Sequence, residues 1–183
     1  PPVCKIDKID DTYYYSTLDD AITAATDGDQ IDLLKDKERL IPMMAVLNEA
    51  YRSSRKGVET INTVISKVYD DDLALDLNRQ AVHFLAFEDK AAEEIRKASE
   101  RPEGASAVEK AASWTALQAG TLLNTSTGHV AELMIEGNAK GITDLMKAVK
   151  KNQEAKREYC ELAEELMDFE EKNIECLKNY LDE

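Results

Sequence analysis

The sequence is short of the residues on which much chemistry depends: three cysteines, two histidines and seven glycines in 183 residues. Cys4, Cys160 and Cys176 are too few and odd in number for a disulfide framework, and no CxxC or Cys/His cluster offers a zinc site. They read as thiols, which fits a reducing, cytoplasmic compartment. The glycines form no P-loop, no dinucleotide-binding pattern and no nucleophile elbow, so phosphate cradling and serine-nucleophile chemistry find no support. No run of about 18 apolar residues is available for a membrane span. The opening Pro-Pro-Val-Cys lacks the basic and apolar regions of a signal peptide. Positive charge is scarce too. With 23 Lys and Arg against 37 Asp and Glu, a net charge of −14, the chain lacks the basic clusters that nucleic acid requires. Cation binding or plain solubility is what this charge suits.

What the chain does have is an internal echo. Leu77 to Ile95 (LNRQAVHFLAFEDKAAEEI) and Tyr159 to Leu177 (YCELAEELMDFEEKNIECL) share an FE[D/E]K core, with Phe87 answered by Phe169, 82 positions on. In the first copy Leu77, Ala81, Phe84, Glu88, Ala91 and Ile95 follow the steps of four and three that put residues on one helix face. The second copy gives Tyr159, Ala163, Leu166, Glu170, Asn173 and Leu177 at the same offsets. Each copy therefore carries one glutamate inside an otherwise apolar stripe.

The first 36 residues differ from the rest. Val3 to Ile6 and Thr12 to Ser16 alternate as strands do, Thr17 caps a short helix through Ala25, Asp27-Gly28-Asp29 makes a turn, and Gln30 to Leu34 reads as another strand. The run from Lys8 to Asp36, KIDDTYYYSTLDDAITAATDGDQIDLLKD, resembles a short module of Gram-positive bacterial surface proteins that often opens a parallel β-helix. That resemblance implies a secreted or cell-surface setting as the alternative to the cytoplasm. The rungs that such a module leads into are missing here, since helical sequence follows at once. An αβ unit of this size buries too little apolar surface to stand alone, so residues 1–36 are expected to pack as an appendage on a helical domain spanning 37–183, the alternatives being to pair with another copy or to be a fragment joined to a foreign domain.

In that domain Leu47, Tyr51, Ser54, Val58, Ile61, Ile65 and Val68 mark a first long helix ending near Asp70. A second runs to about Ala98 and is broken by Arg101-Pro102-Glu103-Gly104. Ala105 to Leu123, with Trp114, reads as a shorter helix, followed by His129 to about Lys151 and by Glu154 to Leu181. The first and fourth of these helices also repeat: Gly57 answers Gly141, 84 positions on, and the stripe Ser54, Val58, Ile61, Ile65 superposes on Asn138, Ile142, Leu145, Val149. A helical hairpin thus occurs twice, joined by a long crossover, which is the connectivity of a ferritin-like four-helix bundle. A glycine matched in both copies suggests close approach of two helix backbones.

The segments GVETINTVISKV, FEDKAAEEIRKA, TSTGHVAELMIEGNAKGI and EELMDFEEKNIECL resemble a bacterial ferritin-like family of unknown function, distantly similar to rubrerythrins, over about Ala45 to Leu181. The resemblance implies an inward-facing di-iron or di-manganese site of four glutamates and two histidines. The matching positions here are Ser54, Glu88 with Ala91, Asn138, and Glu170 with Asn173, so two of six ligands remain and no Glu-x-x-His occurs. Ser54, Glu88, Asn138, Glu170 and Asn173 are therefore expected to form a polar core network, with Glu88 and Glu170 facing each other and at least one of them protonated. The expected function is a non-catalytic structural or interaction protein with a degenerate metal site. The alternative is an iron- or manganese-binding protein using Glu88 and Glu170, helped by Glu59.

Two minor candidates complete the reading. His83 is expected partly buried with a hydrogen-bonded partner, and His129 with Glu132 and Glu136 shares a helix face on which a metal could sit, against the plainer reading of a solvated helix start. A monomer or homodimer is expected rather than a cage, with the N-terminal strands as an edge for a protein partner.

Overall fold

A computed structural model describes residues 4–8, 11–16, 18–98, 100–104 and 126–181. The short helix expected at Ala105 to Leu123 lies outside them, as do Val3 and the cap expected at Thr17. The chain is mainly helical, with a small antiparallel sheet at its N-terminus, and it divides into two compact units at Pro1–Met43 and Met44–Glu183. The division falls a few residues beyond the expected 36/37, inside the long helix that begins at Leu34.

In the first unit β1 (Cys4–Lys8) is the central strand, pairing antiparallel with β2 (Asp11–Tyr15) on one side and β3 (Ile31–Leu33) on the other. The register sets Cys4 opposite Tyr15 and Leu33, and Ile6 opposite Tyr13 and Ile31. Alternation then gathers Cys4 and Ile6 on one face, where they bury with Ala21 of α1 (Leu18–Ala24) under Tyr15, Ala25 and Ile31. The turn after α1 needs Gly28, whose φ of 91° an L side chain rarely adopts. Asp29 locks it by accepting from the Thr26 amide and hydroxyl, both at 2.8 Å, and from Lys8 at 3.1 Å. These contacts hold its carboxyl below the usual range, the Thr26 amide first.

The second unit is built on α2 (Leu34–Val64) from Met44 onward, α3 (Asp71–Lys97), α4 (Thr127–Lys151) and α5 (Arg157–Leu177). Short 3-10 turns follow α2 at Ile65–Lys67 and α5 at Lys178–Tyr180, so both helices stop short of the expected ends. Asp70 caps α3 by accepting from the Leu73 amide at 2.7 Å, and Asp71 and Asp72 at one end with Arg96 and Lys97 at the other complement its dipole. Ser126 caps α4 by accepting from the His129 amide. On α5 the whole stripe is buried, Tyr159, Ala163, Leu166, Glu170, Asn173 and Leu177, whereas on α3 Leu77, Phe84, Ala91 and Ile95 are buried and Ala81 and Glu88 stay half-buried.

Cross-helix pairs give the directions. Asp76 meets Cys176, Phe84 meets Phe169 and Lys90 meets Glu165, so numbers rise along α3 as they fall along α5 and the two run antiparallel. Asn138 with Asn173 and Gly141 with Glu170 make α4 and α5 antiparallel too. Consequently α3 and α4 point the same way, and the end of α3 and the start of α4 lie at opposite ends of the helices. No helix of the described residues is long and apolar enough to cross a membrane.

Candidate functional site: two carboxyls and their neutralising partners

The repeated glutamates occupy equivalent stripe positions but meet different surroundings. On α5, Glu170 is 2% exposed. Its Oε1 accepts from the Ser53 hydroxyl at 2.8 Å, while Oε2 has no hydrogen-bond partner among the described residues. The carboxyl lies against Gly141 of α4, where a Cβ would stand 2.7 Å from Oε2 and 2.8 Å from Cδ. Burial is the main effect on this group, with the negative charges of Asp144 and Glu49 adding to it and the Ser53 hydrogen bond opposing it. The result is a pKa raised to about 8.

On α3, Glu88 keeps 18% of its side chain exposed and turns toward Arg55, whose Nη1 stands 3.5 Å from its Oε1. Arg55 also pairs with Glu59 at 3.0 Å and donates to the Tyr51 hydroxyl at 2.8 Å. Glu59 and Tyr51, in that order, raise the pKa of the guanidinium, so this cation is permanent. The structure thus joins Glu88 with Glu59, through an arginine. It does not join Glu88 with Glu170, since no hydrogen bond or ion pair links them and each has its own partners.

The difference traces to the two glycines. A Cβ on Gly57 would fall 2.7 Å from the Phe84 ring, whereas one on Gly141 would strike the Glu170 carboxyl. Phe84 corresponds to Leu166 in the repeat, one helical turn before Glu170. In the first hairpin a ring takes the notch that a carboxyl takes in the second, and Glu88 is left a turn further along, within reach of Arg55. Each glycine therefore admits a side chain of the neighbouring helix, rather than the bare backbone contact expected from the matched pair.

The remaining members of the expected network are buried, and only some are connected. Asn173 Nδ2 donates to Asn138 Oδ1 at 3.2 Å, and Asn138 Nδ2 donates to the Met134 carbonyl at 2.7 Å. Ser54 is buried, but its hydroxyl has no partner among the described residues. The hydroxyl that serves Glu170 is Ser53, one residue off the stripe, which the periodicity did not select. Gln80, also buried, has an unpartnered Oε1 and was likewise missed.

These residues do not fit the metal site that the fold resemblance implies. Among the described residues no three His, Cys, Asp or Glu come together as a metal would need. The two amides are spent on each other and on a main-chain carbonyl, and Glu88 and Glu59 already have a cation in Arg55. His83 is exposed rather than partly buried, with its ring 5.3 Å from that of Phe169. At the start of α4 the half-buried His129 approaches the exposed Glu132 at 3.5 Å, and Glu136 adds no third ligand.

Outside this region Asp76 gathers Tyr180 at 2.7 Å, Cys176 at 3.2 Å and Arg79 at 3.2 Å, tying the start of α3 to the end of α5. Burial and then Asp76 push the Cys176 thiol up to about 11, so it is a hydrogen-bond donor and a poor nucleophile. Burial also raises the Cys160 thiol. No family model, curated protein or solved structure matches the chain.

Proposed function

We propose that this chain is a non-catalytic structural or interaction protein on a ferritin-like four-helix bundle, in which the divalent metal position has been taken over by groups of the chain itself. The observation that carries this reading is Arg55, a fixed cation standing between Glu88 and Glu59. A carboxylate in a ferritin-like site serves to neutralise a metal, and here one is already neutralised by a guanidinium that cannot leave. The bundle assignment is supported by the direction of the helices. α3 and α4 are both antiparallel to α5, as in a duplicated hairpin with a long crossover rather than a simple up-down-up-down chain.

The test is metal analysis of protein purified without chelator, together with a ferrous oxidation assay. The expected result is no stoichiometric metal and no oxidation above the rate in buffer. Stoichiometric iron or manganese, lost on substituting Glu88, Glu170 or Glu59, would establish the metalloprotein reading instead.

A further inference from the structure

On the side turned away from the core, α3 carries a second apolar line. Leu75, Val82 and Leu85 are 49%, 66% and 46% exposed. Their places along the helix set them on one side of it, opposite the buried Leu77, Phe84, Ala91 and Ile95. Among the described residues, Met146 on α4 and Ile22 on α1 are the only large apolar side chains exposed on their helices, as single ones commonly are. Asn78, between Leu75 and Val82, donates to the Ala74 carbonyl at 2.8 Å and so turns back on its own helix.

The charges along this face are arranged so that they complement a reversed copy of themselves. Asp71 and Asp72 stand at the start of α3 and Arg96 and Lys97 at its end, while Arg79 precedes the apolar centre and Asp89 follows it. All six are exposed. A second α3 laid parallel would set acid on acid and base on base. Laid antiparallel, with a two-fold axis level with Phe84, it sets Asp71 against Lys97, Asp72 against Arg96 and Arg79 against Asp89. The same register closes Val82 and Leu85 of one copy on Val82, Leu85 and Ala86 of the other. Each pairing then occurs twice, because a two-fold contact is reciprocal. Glu93, which this register brings opposite Leu75, is held by Lys97 of its own chain at 2.9 Å.

We propose that the outer face of α3 is the interface of a two-fold homodimer, in which two α3 helices pair antiparallel through Val82 and Leu85. The proposal goes beyond the metal-free reading and stands whether or not the core takes a metal. Its strength follows from its size. A helix of 27 residues is about 40 Å long, and one face of it covers on the order of 500 Å², short of the ~800 Å² per partner of a standard interface. The net charge of −14 on each copy opposes association as well. The dimer is therefore a micromolar one, and the charges along the seam, more than its area, select the orientation.

The experiment is sedimentation equilibrium of the full chain from about 10 µM to about 500 µM, a range that brackets micromolar affinity. The mass should rise from one chain toward two across it. Val82→Glu combined with Leu85→Glu, at two exposed positions, should stay monomeric throughout. Arg79→Glu and Asp89→Lys should each weaken pairing on the order of tenfold, since each is felt at two symmetric places. Combined in one chain they should restore it, because acid and base have only exchanged places. Arg79 also pairs with Asp76 at 3.2 Å within its own chain, so circular dichroism of each variant keeps loss of helix apart from loss of pairing. A monomer at every concentration, or a dimer indifferent to Val82→Glu with Leu85→Glu, overturns the interface. A double charge exchange no stronger than either single one overturns the antiparallel register. Stripping with chelator should leave the association unchanged, so the result stands apart from the metal analysis, and a dimer lost on stripping would overturn its independence of metal.

Discussion

The carboxyl of Glu170 occupies the volume that a side chain at Gly141 would need, and the ring of Phe84 does the same at Gly57. Alanine normally improves a helix over glycine by about 1 kcal/mol, so the sign of Gly57→Ala tests the packing. We expect a net loss of about 1–3 kcal/mol in the free energy of unfolding. Gly57→Ala combined with Phe84→Leu, which imports the residue found in the other copy at Leu166, should recover most of it. A stabilised single variant in denaturant unfolding would refute the close approach.

Arg55 and Glu88 form a second testable pair. Arg55→Ala leaves a mostly buried carboxylate without its guanidinium. The arginine side chain is 40% exposed, so water screens the interaction and the expected loss is only about 1 kcal/mol. Glu88→Gln added to Arg55→Ala should restore stability, and a double-mutant cycle showing no coupling would dismiss the pair.

Asp76 adds to burial in suppressing the reactivity of Cys176. In Asp76→Asn the thiol no longer faces a negative charge, so its alkylation at about pH 8 should quicken several-fold, with Cys160 as an internal comparison. An unchanged rate would mean that burial alone suppresses the thiol.

The same carboxylate contributes at the acid side. Tyr180 first, then Cys176 and Arg79, hold Asp76 below its ordinary value. Its contribution is present above the usual carboxylate range and lost as pH falls through the depressed value. Tyr180→Phe should therefore lower the thermal midpoint near neutrality and leave it almost unchanged in strong acid.

Ser53→Ala gives a less obvious outcome. The hydroxyl favours the charged form of Glu170, so removing it should move the carboxyl titration upward, although a hydrogen bond has been lost. A downward shift in the carbon-13 titration would show that Ser53 acts by excluding water.

Much of the helical framework was legible because the period of apolar residues fixes which face is buried. Most of the α3 stripe and all of the α5 stripe bury, together with Ser54 and Asn138. The fates of Glu88 and Glu170 were not legible. Their sequence contexts match, and what separates them is a ring against Gly57 in one hairpin and a carboxyl against Gly141 in the other. Arg55 and Ser53 escaped notice for a related reason. Each sits one residue from the stripe, where periodicity predicts a solvated side chain, and only the crossing of two helices brings it to a partner. In the first unit the alternation of Cys4, Ile6, Tyr13 and Tyr15 carried the strand pattern, and it does not say which strands pair: β1 takes both β2 and β3 as antiparallel neighbours.

The two halves of the duplicated hairpin differ in where their countercharge originates. That of Glu88 is bonded into the chain as Arg55, whereas Glu170 has no cation paired with it among the described residues and burial raises its pKa to about 8. The first hairpin can therefore serve as a built-in reference for the second. A spectroscopic label on each would report, within one molecule, the difference between a fixed charge and an exchangeable one, with temperature, salt and concentration common to both.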